Sequence, residues 1–226
     1  MSGTITAIRV QRKNPRRASL YLDGRFLMGL SIEVVQDLGL RRGQLLDDAE
    51  MEALRRAEAQ RRAYQDALRL LSYRPRSCAE VRIYLAGQEY DQAQVEATVA
   101  RLQELGLLDD RAFARTWVEN RRALRPRGRQ ALSAELRQKG VAAEVIAEVL
   151  DESRSGEDEV GVALELARAR ARALQGLPRP VFFRRLQGFL ARRGFPHEVI
   201  REVVDRAWVE AHGDTGDGED LPDAFA

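Results

Sequence analysis

Cysteine, histidine and lysine are nearly absent from this 226-residue chain. Cys78 is the single cysteine, so no intrachain disulfide forms and no cysteine metal cluster is available. His197 and His212 are the only imidazoles, too few for a zinc site, and no metal or other cofactor is expected. No stretch approaches 18 apolar residues, which excludes a transmembrane helix, and the N-terminus lacks the uninterrupted apolar run of a signal peptide. A soluble cytoplasmic protein is expected. The phosphate loop G-x-x-x-x-G-K-S/T is missing, as are G-x-G-x-x-G, H-E-x-x-H and G-x-S-x-G. Nothing supports catalysis, and the chain is expected not to be an enzyme. The last sixteen residues, 211–226, contain no Lys or Arg and five acids.

That last absence matters because the net charge is only +2. Without the tail, 37 bases face 30 acids, leaving +7 on the body. An acidic tail on a basic body reads as a disordered interaction segment that can mimic a polyanion. Only Lys13 and Lys139 are lysines, and the other 35 bases are arginine. Genome composition accounts for much of that excess, so position carries more information than abundance. A hydrophobic content of 44% suffices for folded cores.

Positive charge concentrates in Asp109–Val141, where Arg111 to Lys139 holds nine bases and two acids. Phe113, Trp117, Val118 and Leu124 mark one face of a helix at helical spacing. Arg125-Pro126-Arg127-Gly128 breaks it, because proline cannot continue a helix. Leu132 and Leu136 define a second helix that Gly140 stops. The candidate binding residues are Arg121, Arg122, Arg125, Arg127 and Arg129 around the turn, then Arg137 and Lys139. Arg129, Ser133 and Arg137 form a row four apart that carries no acid, and its self-repulsion points to an anionic partner. Arg74 and Arg76 are weaker copies, as are Arg179, Arg184 and Arg185. The pair Asp109–Asp110 sits where a helix cap belongs.

Upstream, alternation over Thr4–Leu30 predicts a small antiparallel sheet of about three strands, with a hairpin at Asp23-Gly24. The basic turn Lys13–Arg17 serves equally as a solvated hairpin tip or a nucleic-acid contact. Ser31 can cap a short helix ending near Gly39, and Asp47 or Asp48 opens a long one with Met51, Leu54, Ala57, Tyr64, Leu68 and Leu71 inward. Ser77 and Glu80 fit a capping box.

The plan then recurs. Arg-Pro pairs at 74–75, 125–126 and 179–180 are offset by 51 and 54 residues. The same offsets superpose Leu85, Leu136 and Leu190, then Val95, Ile146 and Ile200, then Val99, Leu150 and Val204. The fold class is therefore mainly α: three tandem three-helix, helix-turn-helix-like repeats in an elongated curved array, after a small N-terminal sheet. The expected divisions are 1–46 for the sheet, 47–108, 109–152 and 157–210 for the repeats, and 211–226 for the tail. Asp151–Asp158 is the expected hinge, and Val160, Leu164, Phe182, Phe189, Ile200 and Val203 the third core. A monomer is expected, since repeats bury their apolar faces on one another.

Asp110, Phe113, Trp117, Arg121, the run Arg125-Pro126-Arg127-Gly128, and Leu136, Lys139, Gly140 and Val141 together resemble the central motif of the RecX family of recombinase regulators. That motif pairs an aspartate-aromatic helix start with W-x-x-x-R, R-P-R/K-G and L-x-x-K-G-I/V. RPRSCAEVRIYL, residues 74–85, is similar to the family's R-P-x-S/T-x-x-E-L/V-x-x-Y/K-L. The resemblance spans Tyr64 to Val209 and leaves the tail outside. It implies a protein that lodges in the groove of the RecA filament on single-stranded DNA and binds DNA weakly. Such a protein restrains ATP hydrolysis, strand exchange and the co-protease activity behind the SOS response. The alternative is a helix-turn-helix DNA-binding regulator, against which the clustering of bases at turns weighs.

Overall fold

The computed structural model describes residues 2–153 and 159–213, in two units that meet at Asp109 and Asp110. The first unit opens with a four-stranded antiparallel sheet of order β3-β2-β1-β4: β1 Gly3–Gln11, β2 Asn14–Leu22, β3 Arg25–Ser31 and β4 Leu45–Leu46. Asp23 and Gly24 have φ of 47° and 81°, the left-handed pair a two-residue hairpin turn requires. The fourth strand corrects the three-stranded expectation. It is two residues long and pairs with Gly3 and Thr4, too short to leave an alternating pattern.

Ser31 caps the short helix α1, Ile32–Asp37, through Val34 N–H. Helix α2, Asp48–Tyr73, runs about 39 Å and serves two cores. Its first half packs Met51 and Leu54 against Ile5, Leu20, Leu30, Val34 and Leu46. Its second half packs Ala63 and Ala67 against α3, Cys78–Gly87, and α4, Gln92–Glu104. Leu68, expected inward, is exposed at the rim; the alanines admit close helix approach instead. Capping boxes open α2 (Asp47, Glu50), α3 (Ser77, Glu80) and α4 (Asp91, Gln94), each contributing about 1 kcal/mol. Cys78 is buried as packing.

The second unit holds two three-helix repeats. One comprises α5 (Asp110–Leu124), α6 (Arg129–Gln138) and α7 (Ala143–Glu152). The other comprises α8 (Glu159–Ala171), a 3-10 turn at Arg172–Leu174, α9 (Arg179–Arg192) and α10 (His197–His212). The superposed positions Leu85, Leu136 and Leu190 are all buried, as are Val95, Ile146 and Ile200, and Val99, Leu150 and Val204. In the third repeat Phe182, Ile200 and Val203 are buried, whereas Val160, Leu164 and Phe189 only flank the core. Ala163, Ala167 and Ala171 take the inward face of α8. Phe182 is buried and packs edge-on to Trp208 at 5.1 Å.

Two expectations fail here. Leu124, assigned to the core face of α5, is 79% exposed at the last residue of that helix. Ala211 and His212, assigned to the acidic tail, belong to α10. The rest of the tail, 214–226, lies outside the described residues. In the expected hinge, Asp151 and Glu152 are helical and Ser153 is the C-cap of α7, while 154–158 lie outside the described residues.

Candidate functional site

The turn between α5 and α6 brings the central motif together around one carboxylate. Glu135, the only acid of α6, accepts from Arg121 Nε at 2.7 Å and Trp117 Nε1 at 2.8 Å. Arg127 Nη1 lies 3.0 Å from its other oxygen. Arg121 also stands over the Trp117 ring at 4.6 Å, Lys139 Nζ lies 5.3 Å from the same ring, and Phe113 packs at 5.8 Å. Burial pushes the Glu135 carboxyl up, but the bonds from Arg121 and Trp117 and the charges of Arg121 and Arg127 outweigh it and hold it below the ordinary 4.5. Helical spacing explains the convergence. Phe113, Trp117 and Arg121 are four apart on α5, and Glu135 and Lys139 are four apart on and just beyond α6.

This geometry corrects the picture of an acid-free basic row. Ser133, the middle of that row, is buried. Arg129 Nη1 sits 2.8 Å from Asp151 Oδ1, aligned as an ion pair without a hydrogen bond. Arg111 pairs with Glu148 and Glu152, and Arg115 with Glu152, whose carboxyl the two guanidinium groups hold below its ordinary range. Arg122 donates to the Ser153 carbonyl at 2.8 Å, which orders it. The acids come from α7, outside the window in which the sequence shows few acids. Arg125 and Arg137 are exposed and have no acidic partner among the described residues.

The earlier repeat shows why Arg125 is bare. Arg74 forms a two-pronged pair with Glu80 at 3.0 and 3.1 Å. The 51-residue offset places Ala131 where Glu80 stands. Arg76 is half-buried, and its Nε has no hydrogen-bond partner among the described residues. Of the arginines assigned to the site, Arg74 and Arg76 belong to the first unit.

Ala131 is small for a reason. The N-terminus of α6 has no side-chain cap, and the third repeat supplies one. Gly128 N–H donates to Arg193 O at 2.9 Å, Arg129 N–H to Glu159 Oε1 at 3.0 Å, and Gln130 N–H to Gly194 O at 3.2 Å. Arg193 Nη1 returns a bond to Pro126 O at 3.1 Å. A Cβ on Gly194 would lie 2.4 Å from the Ala131 side chain, so this approach tolerates neither a larger residue at 131 nor a side chain at 194. Beside the junction Arg122, Arg127, Arg129, Glu159 and Phe195 line a cavity of about 40 Å³, too small for a nucleotide or an organic cofactor.

A helix-turn-helix protein presents the N-terminal residues of its second helix to base edges. In α6 those residues face the third repeat instead. Among the described residues no group of three His, Cys, Asp or Glu side chains is placed to hold a metal, and no helix is long and apolar enough to cross a membrane. Glu135 and Trp117 escaped the sequence reading as site residues. The signal was there in the lone acid of a basic helix, eighteen residues from a tryptophan.

Comparison with known proteins matches this arrangement domain by domain. Models of the RecX N-terminal domain and the first, second and third RecX three-helix domains match residues 3–47, 63–102, 109–150 and 157–204. Regulatory protein RecX of Thermobifida fusca is 38% identical over 66% of this chain and 82% of its own length. Regulatory protein RecX of Bacillus subtilis is 29% identical over 93% of this chain and 80% of its own. A crystal structure of regulatory protein RecX, 26% identical, superposes with a TM-score of 0.77 over 90% of this chain and 99% of that one. Four domain models in unbroken order, sequence relatives of the same name and a solved fold that agrees place this chain in the RecX family of regulatory proteins.

Proposed function

We propose that this chain regulates the recombinase RecA. It binds the groove of the RecA filament on single-stranded DNA and restrains ATP hydrolysis, strand exchange and co-protease activity in recombination and SOS repair. The observation that carries the reading is the second-repeat cluster. The family motif residues Trp117, Arg121, Arg127 and Lys139 meet around Glu135 over the buried Phe113, and Arg125 and Arg137 of the same repeat keep their charge for an outside anion. That anion is DNA phosphate or an acidic RecA side chain. Repeats in series offer successive contacts to neighbouring filament subunits. The setting is the cytoplasm, the partner protein is RecA, and the chain acts as a monomer without catalysis of its own.

The test is RecA's ATPase on single-stranded DNA, titrated with this protein below one copy per RecA subunit. Inhibition at substoichiometric ratios is expected. The double reversal Arg125→Glu and Arg137→Glu should weaken it about tenfold while leaving thermal stability within about 0.5 kcal/mol, since neither residue has an acidic partner among the described residues. Unchanged inhibition by that variant would remove these residues from the interface. A helix-turn-helix regulator would instead leave the ATPase untouched at excess protein and bind duplex DNA, a reading that the engaged N-terminus of α6 weighs against.

The tail enters the same scheme. Residues 214–226 carry five acids and no base. Deleting them should tighten DNA binding severalfold at low salt, with the gain vanishing as salt screens the competition. Equal affinities of full-length and truncated protein at low salt would exclude that role.

A further inference from the structure

Positive charge also stays uncompensated in the N-terminal sheet. Residues 1–31 carry six bases and one acid. Arg17 pairs with Glu58 at 3.0 Å. Arg9, Arg12, Lys13 and Arg25 are exposed and have no acidic partner among the described residues, and Arg16, also exposed, feels the charge of Glu33 without an ion pair to it. Arg12 and Lys13 form the tip of the β1–β2 hairpin, between the paired residues Gln11 and Asn14.

The strand register joins this charge to aromatic rings. Leu20 and Ala18 of β2 point into the core, so Ser19 and Tyr21 point to the opposite face. On that face Ala7, Tyr21 and Phe26 are cross-strand neighbours in one row, and Arg9, Ser19 and Gly29 in the next. Arg9 lies 5.4 Å over the Tyr21 ring, and Tyr21 meets Phe26 edge to face at 5.9 Å. Phe26 is 58% exposed, a large ring left in water on a sheet that has a full core on its other side. Gly29 keeps the next row low. A Cβ there would press to 3.2 Å on Gln11 Nε2 and 3.3 Å on Arg17 Nη2.

We infer that this outer sheet face, Arg9, Tyr21 and Phe26 with the Arg12–Lys13–Arg16 hairpin tip, is a binding surface for single-stranded nucleic acid. Exposed rings accept unstacked bases regardless of sequence, and neighbouring arginines follow the phosphates. Duplex DNA keeps its bases stacked and offers such rings nothing. Charge sets the partner class, because four unpaired bases and the partly compensated Arg16 on one small sheet repel one another until a polyanion approaches.

The experiment uses the full chain and a fluorescein-labelled oligothymidine of about 15 nucleotides, with a hairpin duplex as competitor and no RecA present. Phe26→Ala should weaken single-strand binding about tenfold, and Phe26→Trp should restore it. Arg12→Ala, Lys13→Ala and Arg16→Ala combined should lower the salt slope of single-strand binding by about two. Thermal denaturation should be unchanged in each variant, since all four side chains are exposed. Single-strand affinity unaltered by Phe26→Ala would overturn the inference. So would a Phe26→Ala variant that binds the oligonucleotide normally but RecA poorly, which would make the face a protein contact. Either failure leaves the second-repeat reading standing, since that rests on Arg125 and Arg137.

Discussion

Gly128→Ala is expected to destabilise the second unit by about 3 kcal/mol or more, lowering its thermal midpoint by roughly 6–12 °C. Local conformation predicts the reverse. Gly128 has φ of −71°, which any residue adopts, and alanine there would restrict the unfolded chain and stabilise slightly. Packing decides against it. The new Cβ would lie 2.3 Å from Gly194 O and 2.6 Å from both Gly194 C and Phe195 N. These are backbone atoms that cannot rotate away. To relieve the overlap the α9–α10 turn must withdraw, and with it go the bonds from Gly128 N–H to Arg193 O and from Gln130 N–H to Gly194 O. Calorimetry on the full chain distinguishes the two arguments by sign. A raised midpoint would mean that the close approach is not part of the stable fold. The glycine of the Arg-Pro-Arg-Gly turn thus belongs to the junction between repeats, and only the arginines around it remain for a partner.

The helical frame was legible because it rests on burial, and burial leaves a period. Leu85, Leu136 and Leu190 are buried where the 51- and 54-residue offsets put them. What failed depended on where elements end or on what lies across from them. Leu124 keeps the spacing of Phe113 but is exposed at the helix end. β4 is too short to have a pattern. The inward alanines of α8 carry too little hydrophobicity to stand out, although Ala163, Ala167 and Ala171 are four apart. The basic cluster was visible as composition but misread as bare charge. The window Arg111–Lys139 holds few acids, whereas Asp151 and Glu152, which neutralise Arg129, Arg111 and Arg115, come from α7. Arg125 lacks a partner where Arg74 has one because Ala131 stands at the position of Glu80 in the first repeat.

Glu135→Gln should separate the two roles of the central cluster, stability and anion binding. Glutamine keeps an acceptor for Trp117 but loses the charge that holds Arg121 and Arg127, at a cost of about 1–2 kcal/mol above pH 5. The pH dependence fixes the cause. Hydrogen bonds and positive neighbours hold the Glu135 carboxyl below 4.5 in the folded chain. Its contribution is therefore fully present above about 4.5 and is lost as pH falls through the depressed folded value. Wild type and variant should differ by a constant amount from pH 5 upward and converge below pH 4.5, as urea titrations at each pH would show. A difference that persists undiminished in acid would mean that the carboxylate's charge is not what the cluster uses. The binding readout runs the other way. With its internal counterion removed, each guanidinium is free for phosphate, so affinity for single-stranded DNA should rise severalfold and the salt slope steepen by about one. Weaker binding in the variant would show instead that Glu135 serves by aiming Arg121 and Arg127. In that case the Trp117–Glu135–Arg lattice is a template that fixes guanidinium geometry, and ordered arginines matter more to the partner than free ones.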